Sequence, residues 1–72
     1  MSDEAKIAAS VSAPTWHHGR VIQDGQTVAG CSAVERDRML AELSHYAAVY
    51  SQDGPIRLEV RSGKNRWRRL NP

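Results

Sequence analysis

Residues 32–55 read SAVERDRMLAELSHYAAVYSQDGP and predict one amphipathic helix. Apolar side chains recur at steps of three and four, which builds one stripe along a helix: Met39, Leu40, Leu43, Tyr46, Ala47 and Tyr50. Polar residues fill another side: Glu35, Arg38, Glu42 and His45. Arg38 and Glu42 have the i, i+4 spacing of an intrahelical ion pair. The stripe is expected to pack on a sheet.

Both ends of this helix carry recognisable signals. Ser32 and Glu35 have the spacing of a capping box, which predicts that the helix starts at Ser32. Asp53-Gly54-Pro55 predicts its end, because glycine tolerates a positive φ and proline cannot continue the hydrogen-bond ladder.

Before the helix, Thr15 to Ser32 predicts a β-hairpin with a type I′ turn at Asp24-Gly25. A two-residue turn sets Val21 opposite Val28, Ile22 opposite Thr27 and His18 opposite Cys31. The core face stays open between two sets. One holds Val21 and Val28, and the other holds Trp16, Ile22, Ala29 and Cys31.

After the helix, Ile56 to Leu70 predicts a second hairpin that turns at Gly63-Lys64. This register pairs Val60 with Trp67 in the core and places Glu59 opposite Arg68. Five charged residues would share the other face: Arg57, Glu59, Arg61, Arg66 and Arg68. Arg69 and Leu70 then fall on the wrong sides, which indicates fraying or a bulge near the end.

The expected fold class is therefore α+β, in the order ββαββ, with a four-stranded antiparallel sheet and one helix packed on one face. The 72 residues suffice for a single domain, which we place at 15–72. Residues 1–14 are expected to form a flexible tail because they show no sustained period. A strand around Ile7 to Val11 is the alternative.

Charge and cysteine content limit the functional classes. The chain has one cysteine and no apolar run at its N-terminus, so we expect a cytoplasmic protein with no membrane contact. The net charge is +2, yet residues 56–72 hold six basic side chains against Glu59, or +5. This asymmetry predicts a localised basic surface.

Candidate chemistry is sparse. His17 and His18 are adjacent and would point to opposite faces of a strand, so they cannot share a metal ion. Cys31 and His18, opposite each other in the predicted hairpin, could form a thiol and base, but no third residue would orient the imidazole. Scattered glycines form no phosphate-binding loop. We therefore expect no catalytic residue, no metal, no cofactor and no enzymatic activity.

The second hairpin supplies the predicted partner-binding residues, which are Arg57, Arg61, Lys64, Arg66 and Arg68. Arginine side chains bind phosphates and carboxylates equally well. The same charges could instead serve solubility alone. If they bind a ligand, the outer face of this hairpin is the expected contact surface.

Residues His45 to Pro55, continuing into Ile56 to Val60 and Arg66-Trp67-Arg68, resemble small phage and prophage proteins. Among these, the small α+β build resembles anti-CRISPR proteins that inhibit type I systems. The resemblance implies a bacterial host cell and a protein that blocks a CRISPR surveillance complex by occupancy. Many such inhibitors are acidic mimics of DNA, and the basic final third departs from that pattern.

Two partners therefore remain open. The first is a protein partner, a CRISPR effector complex. The alternative is direct binding of nucleic acid through the arginine-rich hairpin, whose affinity would fall steeply with salt. The chain is expected to be a monomer or a weak dimer.

Overall fold

The computed structural model describes residues 14–70. Most of the predicted tail, including the alternative strand around Ile7 to Val11, lies outside the described residues, as do residues 71–72. Four strands and one main helix follow one another as β1 His17–Gln23, β2 Gln26–Ala33, α1 Arg36–Tyr50, β3 Arg57–Ser62 and β4 Arg68–Arg69. The ββαββ fold class is confirmed.

The sheet has the order β2-β1-β3-β4, and every neighbouring pair of strands is antiparallel. Strand β1 is central and pairs with both β2 and β3, so residues about 40 positions apart in sequence become neighbours. Helix α1 packs across β1 and β2 on one face only. Within residues 14–70, no helix is both long and apolar enough to cross a membrane.

The first hairpin has the predicted turn but a shifted register beyond it. Asp24 and Gly25 have φ values of 54° and 78°, as a type I′ turn requires, and Ile22 pairs with Thr27. A β-bulge then inserts Val28, so that Val21 pairs with Ala29. The predicted Val21–Val28 and His18–Cys31 pairs are therefore wrong.

The bulge also decides the core face that the sequence left open, and neither predicted set is complete. Val21 faces the helix and is fully buried, together with Ala33, Met39 and Leu43. Ala29, Cys31 and Val28 pack around this cluster from β2. Ile22 lies on the other face of the sheet, and Trp16 is 49% exposed.

Helix α1 buries the predicted stripe. Met39 and Leu43 are buried, and the half-buried side chains of Leu40, Tyr46 and Tyr50 pack against the same cluster. An added Cβ on Gly19 of β1 would lie 2.8 Å from the Met39 Sδ and 3.0 Å from a Leu43 methyl carbon. Glycine is therefore what lets the helix approach the central strand this closely.

The predicted helix start is wrong by about one turn. Ser32 and Ala33 belong to β2, and α1 begins at Arg36, with Glu35 as an N-cap whose side chain makes no capping hydrogen bond. The Ser32 hydroxyl instead shares a 2.6 Å hydrogen bond with Nδ1 of His18. The predicted stop is confirmed, because α1 passes into a short 3-10 turn at Ser51–Asp53 and Gly54 has a φ of 144°.

The second hairpin turns at the predicted Gly63-Lys64 but pairs one residue out of the predicted register. Val60 pairs with Arg68, and Glu59 pairs with Arg69. The connection is one residue longer than predicted, and a one-residue slip moves every side chain of β4 to the opposite face. Leu70 consequently packs against the core, and its N–H donates to the Leu58 carbonyl at 2.8 Å.

Candidate binding face

The face of the sheet that α1 leaves uncovered is the candidate functional surface, called the open face below. Side chains alternate along each strand, and register places those from β1 and β3 side by side. From β2 it includes Thr27, Gly30 and Ser32, and its other members are His18, Arg20, Ile22, Arg57, Glu59, Arg61, Trp67 and Arg69. Arginine and one tryptophan dominate this surface.

Trp67 lies among the arginines of the open face. The guanidinium carbon of Arg20 is 4.1 Å from the centroid of the Trp67 ring, and that of Arg61 is 4.7 Å away. Both distances are within the range of cation–π interactions, each worth about 0.5–2 kcal/mol. The Nε of Arg61 is buried without a hydrogen-bond partner in the described part of the chain. Trp67 thus holds two cations on the sheet surface.

One carboxylate, Glu59, organises the centre of this face. Arg20 Nε donates to Glu59 Oε1 at 2.8 Å, and Arg57 Nε lies 3.3 Å from Oε2. The Glu59 side chain is only 15% exposed. Arg20 and Arg57 therefore share one carboxylate, and this contact holds the Arg20 guanidinium next to the Trp67 ring.

The net charge of the open face remains positive. Four arginines, Arg20, Arg57, Arg61 and Arg69, stand against Glu59 alone, which leaves +3. Arg69 is exposed and lies beside Glu59 in the register. The face can accept anions at several points at once.

Ile22 forms an apolar floor at one end of the open face. It is only 8% exposed, although α1 lies on the other face of the sheet, and it lines a shallow groove with Arg57 and Arg69. Long arginine stems commonly cover apolar surface while their charged ends reach water. The stems of Arg57 and Arg69 are therefore placed to shield Ile22 from water.

The two adjacent histidines lie on opposite faces, as predicted. His18 is on the open face and lines a groove with Arg20, Arg61 and Trp67. His17 faces the other way, and its Nδ1 is 2.9 Å from the Ser62 hydroxyl. Within residues 14–70, no group of three or more His, Cys, Asp or Glu side chains could hold a metal ion.

Cys31 and His18 do not come together. Cys31 pairs with Gly19 and faces the helix, where its thiol donates to the Met39 carbonyl at 3.5 Å. Burial raises the pKa of the Cys31 thiol, and the Glu42 carboxylate raises it further, whereas a hydrogen bond from the Gly19 backbone lowers it. A thiol with a raised pKa on the face opposite the imidazole is not an activated nucleophile.

The predicted partner-binding residues divide between two surfaces. Arg57 and Arg61 lie on the open face, whereas Arg68 lies on the helix side because it pairs with Val60. Arg66 and Arg68 line a separate groove with Arg36, and Lys64 is exposed in the turn. The prediction that Arg57, Arg61, Arg66 and Arg68 share one face is therefore wrong, for the register reason given above.

Sequence reasoning missed Arg20, Trp67 and Arg69 as members of this face. Arg20 belongs to the first hairpin, and nothing local indicates that β1 lies beside β3. For Trp67 and Arg69 there was a signal. The predicted register, with Val60 opposite Trp67, left Arg69 on the apolar side and Leu70 on the charged side. A shift of one residue in the pairing places both on the expected sides.

Comparisons of this chain with protein-family models, curated proteins and solved structures found no match. The resemblance to anti-CRISPR proteins therefore stays a prediction.

Proposed function

We propose that this protein is a non-catalytic binding module whose open face holds single-stranded nucleic acid. The observation that carries the proposal is the position of Trp67, an aromatic ring on the sheet face that α1 leaves uncovered, with the guanidinium carbons of Arg20 and Arg61 at 4.1 and 4.7 Å from its centroid. Unpaired bases stack on such aromatic rings and on arginine planes. The phosphates between them are bound by the surrounding cations.

Charge placement supports a nucleic-acid ligand over a neutral one. Arg57, Arg61 and Arg69 lie on the same face as Trp67 and Glu59, and only Arg57 among these three shares the Glu59 carboxylate. Arginine forks match phosphate oxygens in geometry as well as in charge. Three phosphates of a strand crossing the sheet therefore have partners.

The shape of the open face favours a single strand over a duplex. Four strands about 4.8 Å apart make a broad surface, whereas the major groove of duplex DNA admits a helix or a two-stranded ribbon. Bases inside a duplex also keep their faces stacked on one another, so Trp67 could not reach them. Splayed bases of a single strand have no such obstacle.

A salt titration tests this proposal. Fluorescence anisotropy with labelled oligo-dT and oligo-rU should give a log Kd that rises with log salt at a slope near 2, because about three phosphates each contribute about 0.7 on single strands. A duplex of the same length should bind more weakly. Binding that is independent of salt would contradict the proposal.

A second candidate is occupancy of a CRISPR effector complex, the type I surveillance complex implied by the resemblance above. The observation that favours it is the composition of the open face, since tryptophan and arginine dominate the energetics of protein interfaces. Four arginines cannot imitate a phosphate backbone, so the contact would be with acidic protein or with guide RNA. Co-elution with purified surveillance complex, and no affinity for free oligonucleotides, would favour this candidate over the first.

A further inference from the structure

Within residues 14–70 no strand pairs with the outer edge of β2, and this edge differs from the other edge of the sheet. Its eight residues, Gln26–Ala33, include no charged side chain and no proline. Proteins usually protect exposed edges with such residues because unpaired backbone groups accept a further strand. The opposite edge, β4, is two residues long and both are arginine. Edge pairing is therefore open at β2 and disfavoured at β4.

Beside this edge runs one side of α1, and we call the two together the edge flank. Arg38 and Glu42 line a groove with Ser32 and Ala33, which locates their side of the helix next to β2. Val49 follows Glu42 by seven residues, or two helical turns, and lies on the same side. Val34 and Val49 are both exposed, at 41% and 47%.

The charges of the edge flank are complementary to themselves. Arg38 and Glu42 are one turn apart, and in the described part of the chain neither belongs to an ion pair. If a second copy runs antiparallel alongside, Arg38 of each copy faces Glu42 of the other. The Glu35–His45 pair has the same midpoint along α1 as the Arg38–Glu42 pair, so Glu35 of one copy then faces His45 of the other. Such reciprocity is what a two-fold interface requires.

We propose that two copies of this chain form a symmetric dimer through the edge flank, with β2 pairing to β2 and α1 lying beside α1. A single two-fold axis relates both the strand contact and the helix contact. The axis passes near Cys31 in β2 and near the midpoint between Arg38 and Glu42 in α1, and these two points are close because the Cys31 thiol contacts the Met39 carbonyl. The regular part of β2, from Ala29 to Ala33, is centred on Cys31, beyond the bulge at Val28. The antiparallel arrangement also brings Val34 of each copy towards Val49 of the other.

Dimerisation in this way extends the sheet to eight strands and keeps both open faces on the same side. The two Trp67 positions are then seven strand spacings apart, or about 34 Å. This consequence rests on the proposed function, whereas the dimer itself does not. A nucleic-acid strand could cross both open faces.

Sedimentation equilibrium of the full chain without nucleic acid tests the dimer. From micromolar to near-millimolar protein, the mass should rise from 8.0 kDa towards twice that value. Arg38→Glu alone and Glu42→Arg alone should each weaken association at least tenfold, because like charges then face each other. The double variant with both changes should restore it.

Both positions are exposed, so the single variants should remain folded, which circular dichroism checks. A mass that stays at that of the monomer throughout the range overturns the proposal. So does association that the single variants leave unchanged, or a double variant as weak as the singles. Oligonucleotide binding by a strictly monomeric protein would overturn the dimer and leave the proposed function standing.

Discussion

The Arg20 guanidinium carbon lies 4.1 Å from the centroid of the Trp67 ring, although the two residues are 47 positions apart in sequence. Two features of the fold produce this contact. Strand β1 pairs with β3, and the β3–β4 connection is long enough to turn Trp67 onto the open face. The contact joins β1 to the residue that precedes β4, on the surface that we propose to bind nucleic acid.

Replacing Glu59 with Gln should change stability and binding in opposite directions. The variant loses the anion that Arg20 and Arg57 share, so unfolding in urea should require about 1–2 kcal/mol less free energy. The open face then carries one more net positive charge, and oligonucleotide affinity should rise or hold. Asp53→Asn, at an exposed position that belongs to no ion pair in the described part of the chain, is the control and should change stability by less than about 0.5 kcal/mol. Weaker binding by a folded Glu59→Gln protein would count against the proposed face.

Gly19→Ala should destabilise the fold, whereas Gly30→Ala should not. A Cβ at Gly19 would meet the Met39 Sδ at 2.8 Å and a Leu43 methyl at 3.0 Å, which are overpacked distances in the core. Overpacking of this kind costs about 1–3 kcal/mol. A Cβ at Gly30 meets only the Gly19 carbonyl at 3.6 Å, an ordinary contact. Chemical denaturation of the two variants measures the difference, and equal stabilities would mean that the helix can withdraw from β1 at little cost.

Cys31 should ionise at a higher pH in the folded protein than in the unfolded chain. Burial, with help from Glu42, raises the pKa of its thiol, so the folded state keeps the proton longer. The contribution of the protonated Cys31 thiol to the free energy of unfolding is therefore fully present below the unfolded pKa of about 8.5, and it is lost as the pH rises above that value. Cys31→Ala should remove that loss between neutral and alkaline pH. Thiol alkylation against pH gives an independent check, and a profile identical to that of a model peptide would contradict the assignment.

The sequence predicted the parts of the fold that local patterns encode. The turn at Asp24-Gly25, the apolar stripe of Met39 and Leu43, and the stop at Gly54 are all confirmed. Each depends on residues within one or two turns of one another. Pattern reasoning therefore sufficed for the element types and for the ββαββ order.

Register and strand order depend on longer-range effects that the sequence did not reveal. A single bulged residue, Val28, moved Ala29 and Cys31 onto the core face with Val21, and one extra residue in the last connection moved Trp67 to the open face. Side chains alternate with a period of two, so each slip of one exchanged core for surface. Arg20 joined Arg61 only because β1 lies between β2 and β3. The sequence therefore predicted Arg57 and Arg61 as members of the candidate site but not Arg20, Trp67 or Arg69.

The measurement that tests the central claim most directly is oligonucleotide binding by Trp67→Ala, compared with Trp16→Ala. Trp16 is exposed and lines the groove of Val34 and Glu42 rather than the groove that Trp67 lines with Arg20 and Arg61, so it is the control for loss of a tryptophan elsewhere on the surface. Stacking of a base on one aromatic ring is worth about 1–3 kcal/mol, so Trp67→Ala should weaken binding of oligo-dT or oligo-rU by about 5- to 150-fold. Trp67→Phe should recover part of that loss, and Trp16→Ala should bind like the parent chain. Equal affinities for folded Trp67→Ala and Trp16→Ala proteins, or no oligonucleotide binding by the parent at low salt, would contradict the account.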